Sequence, residues 1–193
     1  MKSRNTHNKW LEAGYRAFAE YGPDFSLKAL AEKTQLPRAT FYYHFDDKDH
    51  LLTALLKHHE YQINSYHNTL RKEVTTLIPD LYRIMYRYKT SVLFHQQLFR
   101  HCEIETYYHL YSDTNETSIR LLLPLIKAHF ETDKPDMEII QFYKILTDVW
   151  YIRLNTSQLS VESMINLATE IMENTLGLCS IYTTTAACST TSE

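Results

Sequence analysis

Between Trp10 and Lys48 the chain is interrupted twice by residues that stop helices, and these interruptions constrain the fold more than any other feature. The stretch KWLEAGYRAFAEY, residues 9–21, sets Trp10, Gly14, Ala17, Phe18 and Tyr21 at helical spacing, with Glu12, Arg16 and Glu20 on the other side. Gly22-Pro23 ends it, because glycine accepts the left-handed conformation and proline cannot continue a helix. Ser26 offers a side-chain oxygen as N-cap for LKALAEKT, whose Leu27, Leu30 and Ala31 form a buried stripe. A tight turn at Gln35-Leu36 follows. Pro37 suits the first turn of a new helix, where its missing N–H is not needed. That helix runs through RATFYYH and is closed by Phe45. Asp47 reads as the N-cap of a long helix beginning KDHLLTALLKHHEYQINSYHNTL, which can extend beyond Arg71.

The remainder reads as helix too. Only 3 glycines and 5 prolines in 193 residues leave few turns, and helices need fewer turn residues than sheets. Pro79 starts a segment from Asp80 to about His95, and an aromatic helix covers Gln96 to Tyr111. Ser112 or Asp113 caps a helix through Phe130 with Pro124 inside it as a kink. Pro135 starts a helix to about Asn155, and Ser160 caps a last one ending at Gly177. No internal repeat or strand-like alternation is present. The Thr/Ser/Ala-rich tail, residues 183–193, has little to bury and is expected to be flexible. The expected fold is all-α, with an N-terminal three-helix domain over residues 1–48, a linking helix over about 48–72, and a C-terminal helical domain over 49–182.

Composition excludes several classes. The net charge is -3, so the chain is no polycation. Residues 1–60 carry nine Lys/Arg against eight Asp/Glu, and the rest carries eleven against fifteen, a split that places the more basic surface at the N-terminus. Three separated cysteines, Cys102, Cys179 and Cys188, fit a reducing compartment and no disulfide framework. No apolar run reaches 18 residues and the N-terminus lacks an apolar signal core, which points to a cytoplasmic chain without a membrane partner. The pairs His58-His59 and His101-Cys102 are adjacent, so neither can converge on one ion from a helix, and neither C-x-x-C nor H-x-x-x-H occurs. No metal or cofactor is expected. A Gly-rich phosphate loop, a nucleophile motif and a paired-carboxylate motif are all missing, which argues against an enzyme.

Two short helices joined by a tight turn after a longer one form the layout of a DNA-reading unit. The second, Arg38 to His44, would enter the major groove. Arg38 can donate bidentately to guanine, and Ala39 and the Thr40 methyl can meet a thymine methyl. Thr40, Tyr42, Tyr43 and His44 carry groups that can bond phosphate oxygens. Lys48 stands at a helix start, where its charge joins exposed N–H groups.

From about Trp10 to Leu52 the chain resembles the tetracycline-repressor (TetR) family of bacterial transcription regulators. The resemblance is carried by Ala17-Phe18-Ala19-Glu20-Tyr21-Gly22, by Ser26-Leu27-Lys28-Ala29-Leu30-Ala31-Glu32, by Leu36, by Ala39-Thr40-Phe41-Tyr42-Tyr43-His44-Phe45, and by Lys48 with Leu51-Leu52. It implies groove-facing roles for Arg38, Ala39 and Tyr43, and phosphate contacts for Thr40, Tyr42, His44, Lys48 and the more peripheral Lys28. Leu36, Phe41 and Phe45 would be the core that fixes the reading helix. The chain departs from the family at Gln35, where a turn glycine is usual, and at Pro37, where a capping Ser or Thr is usual. Both departures bear on base choice. Asp46, Asp47 and Asp49 bring negative charge near the groove; Asp47 has a capping role and Asp49 suits a helix start, but Asp46 has no such account.

The resemblance further implies a C-terminal body that dimerises and binds a small-molecule effector, giving a repressor of double-stranded operator DNA. Met137, Ile140, Tyr143, Lys144, Ile145, Leu146, Val149 and Ile152 give one helix apolar character on more than one side, and Val161, Met164, Ile165, Ala168, Ile171, Met172 and Leu176 do the same for the last. These two long helices are the candidate homodimer face. Tyr82, Tyr86, Phe99, His101, Tyr107, Tyr108, Tyr111 and Trp150 are the candidate ligand-binding residues, with Phe94 and Cys102 in the same stretch. Two other readings stay open: an all-helical ligand carrier or enzyme, and a helical protein whose DNA reading has weakened or been lost through Gln35 and Pro37.

Overall fold

The computed structural model describes residues 2–186, and among them every regular element is helical. Helix α1 spans Lys2–Tyr21, starting well before Lys9. Gly22 follows at φ 68°, the left-handed stop read from the sequence. Helix α2 spans Leu27–Thr34, and the Ser26 hydroxyl accepts the Ala29 N–H at 3.3 Å. Gln35 closes α2 at φ 56°, so a side chain here bears the strain that glycine would avoid. Helix α3 spans Lys48–Glu73, with the Asp47 carboxylate accepting the His50 N–H at 2.7 Å.

The body is built from α4 (Tyr82–Arg87), α5 (Lys89–Arg100), α6 (Glu105–His129), α7 (Asp136–Arg153) and α8 (Val161–Ala186). The Ile78–Pro79 peptide bond is cis, within a wide turn over Leu77–Leu81. The expected helices 80–95 and 96–111 are corrected here. The chain instead breaks at Tyr88 and at 101–104, and Ser112 and Asp113 lie inside α6 rather than capping it. Pro124 does sit within α6. Ser160 caps α8, accepting the Ser163 N–H at 3.0 Å, but the helix continues past Gly177. Of the tail expected over residues 183–193, residues 183–186 belong to α8 and the rest lies outside the described residues.

One buried cluster runs from the N-terminal unit into the body. Trp10, Phe18, Phe41, Phe45, Leu51 and Leu55 belong to it, as do Phe94 and Leu98 of α5. Helix α1 is the shared member. On one side Trp10 meets the Phe41 ring edge-on at 5.4 Å. On the other, Tyr15 and Phe18 stack on Phe94 at 4.6 and 4.1 Å. Gly22 lets α1 end hard against α5, since a Cβ there would lie 2.7 Å from His101 Nε2. Gln96 of α5 donates to the Tyr151 and Leu154 carbonyls at 2.8 and 3.1 Å, satisfying open acceptors at the end of α7.

Candidate nucleic-acid interface and interior cavity

Arg38–Tyr43 forms a six-residue 3-10 helix, tighter than the α-helix expected there. Pro37 precedes it with no side-chain cap, and the Thr40 N–H reaches the Pro37 carbonyl at 2.8 Å. The His44 and Phe45 amides both bond the Phe41 carbonyl, at 2.9 and 3.0 Å. Without a capping side chain the backbone closes i→i+3 bonds instead, the common form of a short helical turn.

The turn is held from beneath. Phe41 and Phe45 are buried, 5.3 Å apart, and Leu36 packs half-buried against the same core. The Trp10 indole N–H donates to the Thr40 hydroxyl at 3.3 Å, and that hydroxyl donates to the Pro37 carbonyl at 2.7 Å. Thr40 is thus bound inward by both bonds, with its half-buried side chain bridging α1 and the turn.

What the turn presents outward is aromatic and cationic. Tyr43 is 84% exposed and Tyr42 52%, although Tyr42 also meets Phe41 edge-on at 5.3 Å. Rings this open gain little from the fold and are available to a partner. Arg38, Ala39 and Lys28 are exposed, while His44 is half-buried beside His7 at 5.6 Å. The Arg38 guanidinium lies 3.4 Å from the Tyr42 hydroxyl. Lys48, at the start of α3, stands 4.8 Å over the Phe25 ring, which fixes its ammonium near the helix terminus. Asp46 also finds a partner. His50 Nδ1 lies 3.3 Å from its backbone nitrogen and 3.4 Å from its carboxylate.

A second feature lies within the body, where α3 to α8 line a cavity of about 80 Å³. Its walls are mainly apolar and aromatic. Of the ligand candidates, Tyr82 and Trp150 line it, whereas Tyr86, Phe99, His101, Tyr107, Tyr108 and Tyr111 do not. Tyr107 instead packs against Phe18, Tyr111 against His95 and Phe99, and Tyr108 is largely exposed. Tyr66, His95, Tyr143 and Tyr151 line the cavity without having been singled out as ligand contacts from sequence.

A buried polar chain joins this cavity to α1. Ser91 and His95 of α5 both line it. Tyr15 of α1 donates to Ser91 Oγ at 3.0 Å, and its oxygen lies 2.8 Å from His59 Nδ1. His59 Nε2 is in turn 3.3 Å from His95 Nδ1. Burial holds both rings neutral, pulling His95 down to about 3 and His59 well below its ordinary value. His67, bonded to Ser118 at 2.8 Å, is lowered by burial to about 4. Burial likewise pushes the phenols of Tyr15, Tyr66, Tyr82, Tyr143 and Tyr151 up, so they remain protonated.

An outward-facing turn of cationic and aromatic residues, set on a three-helix unit, defines a helix-turn-helix DNA-binding protein. Residues 11–55 match the model of the family described as bacterial regulatory proteins, tetR family. The match falls on the helix-turn-helix unit and the start of α3, and over that unit the chain is similar to TetR-family regulators. No curated protein matches it in sequence. Among solved structures it is similar to a transcriptional regulator (TerR/AcrR family) from Aquifex aeolicus VF5, at 19% identity and TM-score 0.53, covering 90% of this chain and 99% of that one. A TetR-like transcriptional regulator from Rhodococcus sp. RHA1 is similar at 14% identity and TM-score 0.56, covering 89% and 96%. A putative TetR-family transcriptional regulator from Mesorhizobium loti MAFF303099 is similar at 15% identity and TM-score 0.53, covering 92% and 98%. At these identities the likeness is one of fold.

Proposed function

We propose that the chain is a homodimeric repressor that leaves its operator when a small molecule occupies the body cavity. The observation that carries this reading is an exposed reading turn joined to a body cavity by two helices: α1, which packs on both the turn and α5, and α3, which begins beside the turn at Lys48 and lines the cavity with Ile63 and Tyr66. Residues 1–48 are the reading domain, α3 over about 48–72 the link, and 49–182 the effector and dimer domain. Arg38, Ala39 and Tyr43 face the groove. Lys28, Tyr42, His44 and Lys48 hold phosphates, and Thr40 contributes its methyl while its hydroxyl anchors the turn.

Helices α7 and α8 form the dimer face. Met137, Ile145 and Ile152 stay 54%, 62% and 62% exposed on one side of α7, while Met164, Ala168, Ile171 and Met172 of α8 are buried within the chain. A two-fold pair would place two reading turns about 34–36 Å apart on successive major grooves. No described helix is long and apolar enough to cross a membrane, which fits the cytoplasmic location proposed for such a regulator.

The test is binding of the purified protein to its own upstream DNA across a salt series. One inverted repeat bound by a dimer with a steep salt slope is the expected result. Weak binding that is equal on all sequences would favour the alternative, a ligand-binding helical protein whose reading turn is impaired by Gln35 and Pro37.

A further inference from the structure

We infer that the cavity takes a small uncharged molecule with an apolar body and a hydroxyl group, and that His95 accepts the hydrogen bond from that hydroxyl. This rests on the body being the effector site and narrows the chemistry of the effector.

The charge argument comes first. Among the described residues no Asp, Glu, Lys or Arg lines the cavity. The neighbouring carboxylate, Asp148, lies outside the lining, takes the Tyr111 hydroxyl at 2.5 Å and is countered by Lys144. A carboxylate or ammonium ligand would therefore be buried without an opposite charge, at a cost that neutral ligands avoid. The histidines supply no such charge, since burial keeps them neutral.

The position of each proton follows from the bonds. Tyr15 has one hydroxyl hydrogen and donates it to Ser91. The contact between Tyr15 and His59 Nδ1 therefore needs the proton on Nδ1. A neutral His59 then has a bare Nε2, which accepts from His95 Nδ1–H. A neutral His95 is left with a bare Nε2, an acceptor that makes no hydrogen bond within the described residues. Tyr66 and Tyr151, also in the lining, have hydroxyls without a hydrogen bond there and are held protonated. A free acceptor beside phenolic donors matches a hydroxyl, which both gives and takes a hydrogen bond.

Size sets the last limit. A cavity of about 150 Å³ lined by apolar groups holds benzene; this one measures about 80 Å³. Met85 and Met172 are in its wall, and unbranched thioethers yield readily to a slightly larger guest. The part of the ligand seated among these walls is thus a short chain or a single ring.

The experiment uses the full chain at pH 7 and reads thermal shift and calorimetric affinity for phenol, toluene, benzoate and benzylammonium. 1-Butanol, butyrate and butylammonium form a smaller matched set. Phenol or butanol should bind saturably, toluene about 10-fold more weakly than phenol, and the charged members at least about 100-fold more weakly than their neutral partners. In His95→Leu the preference for phenol over toluene should vanish. Independently of that variant, phenol should shift the His95 Nε2 nitrogen resonance of the native protein as a bare acceptor gains a donor. A charged probe binding as tightly as its neutral partner, equal affinity for phenol and toluene, or binding of none of these probes would overturn the inference. Operator affinity is measured separately. A neutral probe that binds without changing it supports the ligand class and defeats the effector reading.

Discussion

Acidification from pH 7.5 to 5.5 should destabilise this protein through two buried rings, and the magnitude follows from the site. His59 and His95 are buried in mutual contact and stay neutral in the fold, His95 titrating only near 3. In the unfolded chain each titrates at about 6.5. Below that pH the unfolded state binds protons that the folded state refuses, so stability is full above pH about 6.5 and is lost as pH falls toward the folded values. One pH unit below 6.5 the loss is about 1.4 kcal/mol per ring, hence about 3 kcal/mol for the pair. His67 is lowered by burial and acts in the same direction. Asp148, raised by burial, acts oppositely at lower pH, which is why the window stops at 5.5. The assay is urea unfolding followed by helical circular dichroism at fixed protein concentration, comparing midpoints at constant slope. His95→Gln, which cannot titrate, should lose about 1.4 kcal/mol less stability than the native protein over the same window. Equal stability at both pH values, or an unchanged pH response in His95→Gln, would refute the assignment of these rings as neutral.

Four further outcomes test other parts of the structure. Gly22→Ala combines a left-handed backbone with a Cβ 2.7 Å from His101 Nε2; it should cost about 1–2 kcal/mol and lower the melting temperature by about 2–8 °C, and an unchanged melting curve would show that the α1–α5 approach is looser than described. Thr40→Val leaves the buried Trp10 N–H without its acceptor and should cost about 1–3 kcal/mol in urea unfolding. Lys48→Ala should weaken all DNA about equally and flatten the salt slope by about one unit per subunit, while Arg38→Ala should relax choice at one base position, as read by competition between operator variants. Ile145→Glu with Ile152→Glu, both at exposed positions of α7, should shift sedimentation from dimer to monomer with the helical spectrum retained; an intact dimer would place the interface elsewhere.

The parts of this fold legible in the sequence are those fixed by partners a few residues apart. Ser26, Asp47 and Ser160 each cap with an oxygen that reaches an amide three residues on, and Gly22 stops α1 by its own conformation. The breaks at Tyr88 and 101–104 have no glycine or proline. Tyr88 is pinned instead by bonds from its hydroxyl to Ser65 and Thr69 of α3 at 3.1 and 2.9 Å, partners distant in the chain. The helical turn after Pro37 falls where the sequence pattern predicts it, but its tight form follows from Pro37, which lacks a capping oxygen. The cavity was harder to read because neighbours in sequence are not neighbours on a helix face. Residues 82–111 cluster in the chain, yet Tyr107 and Tyr111 are not part of the lining that Tyr82 shares with Tyr66, Tyr143 and Tyr151. A usable signal existed in α3, where His59 and His67 occupy the buried stripe of Leu55, Ile63 and Leu70. Polar rings at apolar positions require partners, and a cavity wall is where several such partners meet.

The same contacts explain why α1, although it does not line the cavity, is an element to watch for coupling alongside α3. Helix α3 follows the reading turn in the chain, but α1 carries buried side chains on both sides of the joint. Trp10 bonds Thr40 and packs on Phe41, so the turn cannot rotate without moving α1 or breaking a buried bond. Tyr15 and Phe18 stack on Phe94 of α5, while Ser91 one turn earlier and the adjacent His95 stand in the cavity wall. Close-packed aromatic contacts of this kind do not compress; they hold or shift as a unit. A guest that displaces α5 by a fraction of an ångström therefore has two outcomes open to it. Either the Tyr15 and Phe18 stacks slide, and the displacement ends in the body, or they hold, and α1 carries the reading turn with it. The buried bonds from Tyr15 to Ser91 and His59 favour the second outcome, because sliding would leave polar atoms unpaired in an apolar interface.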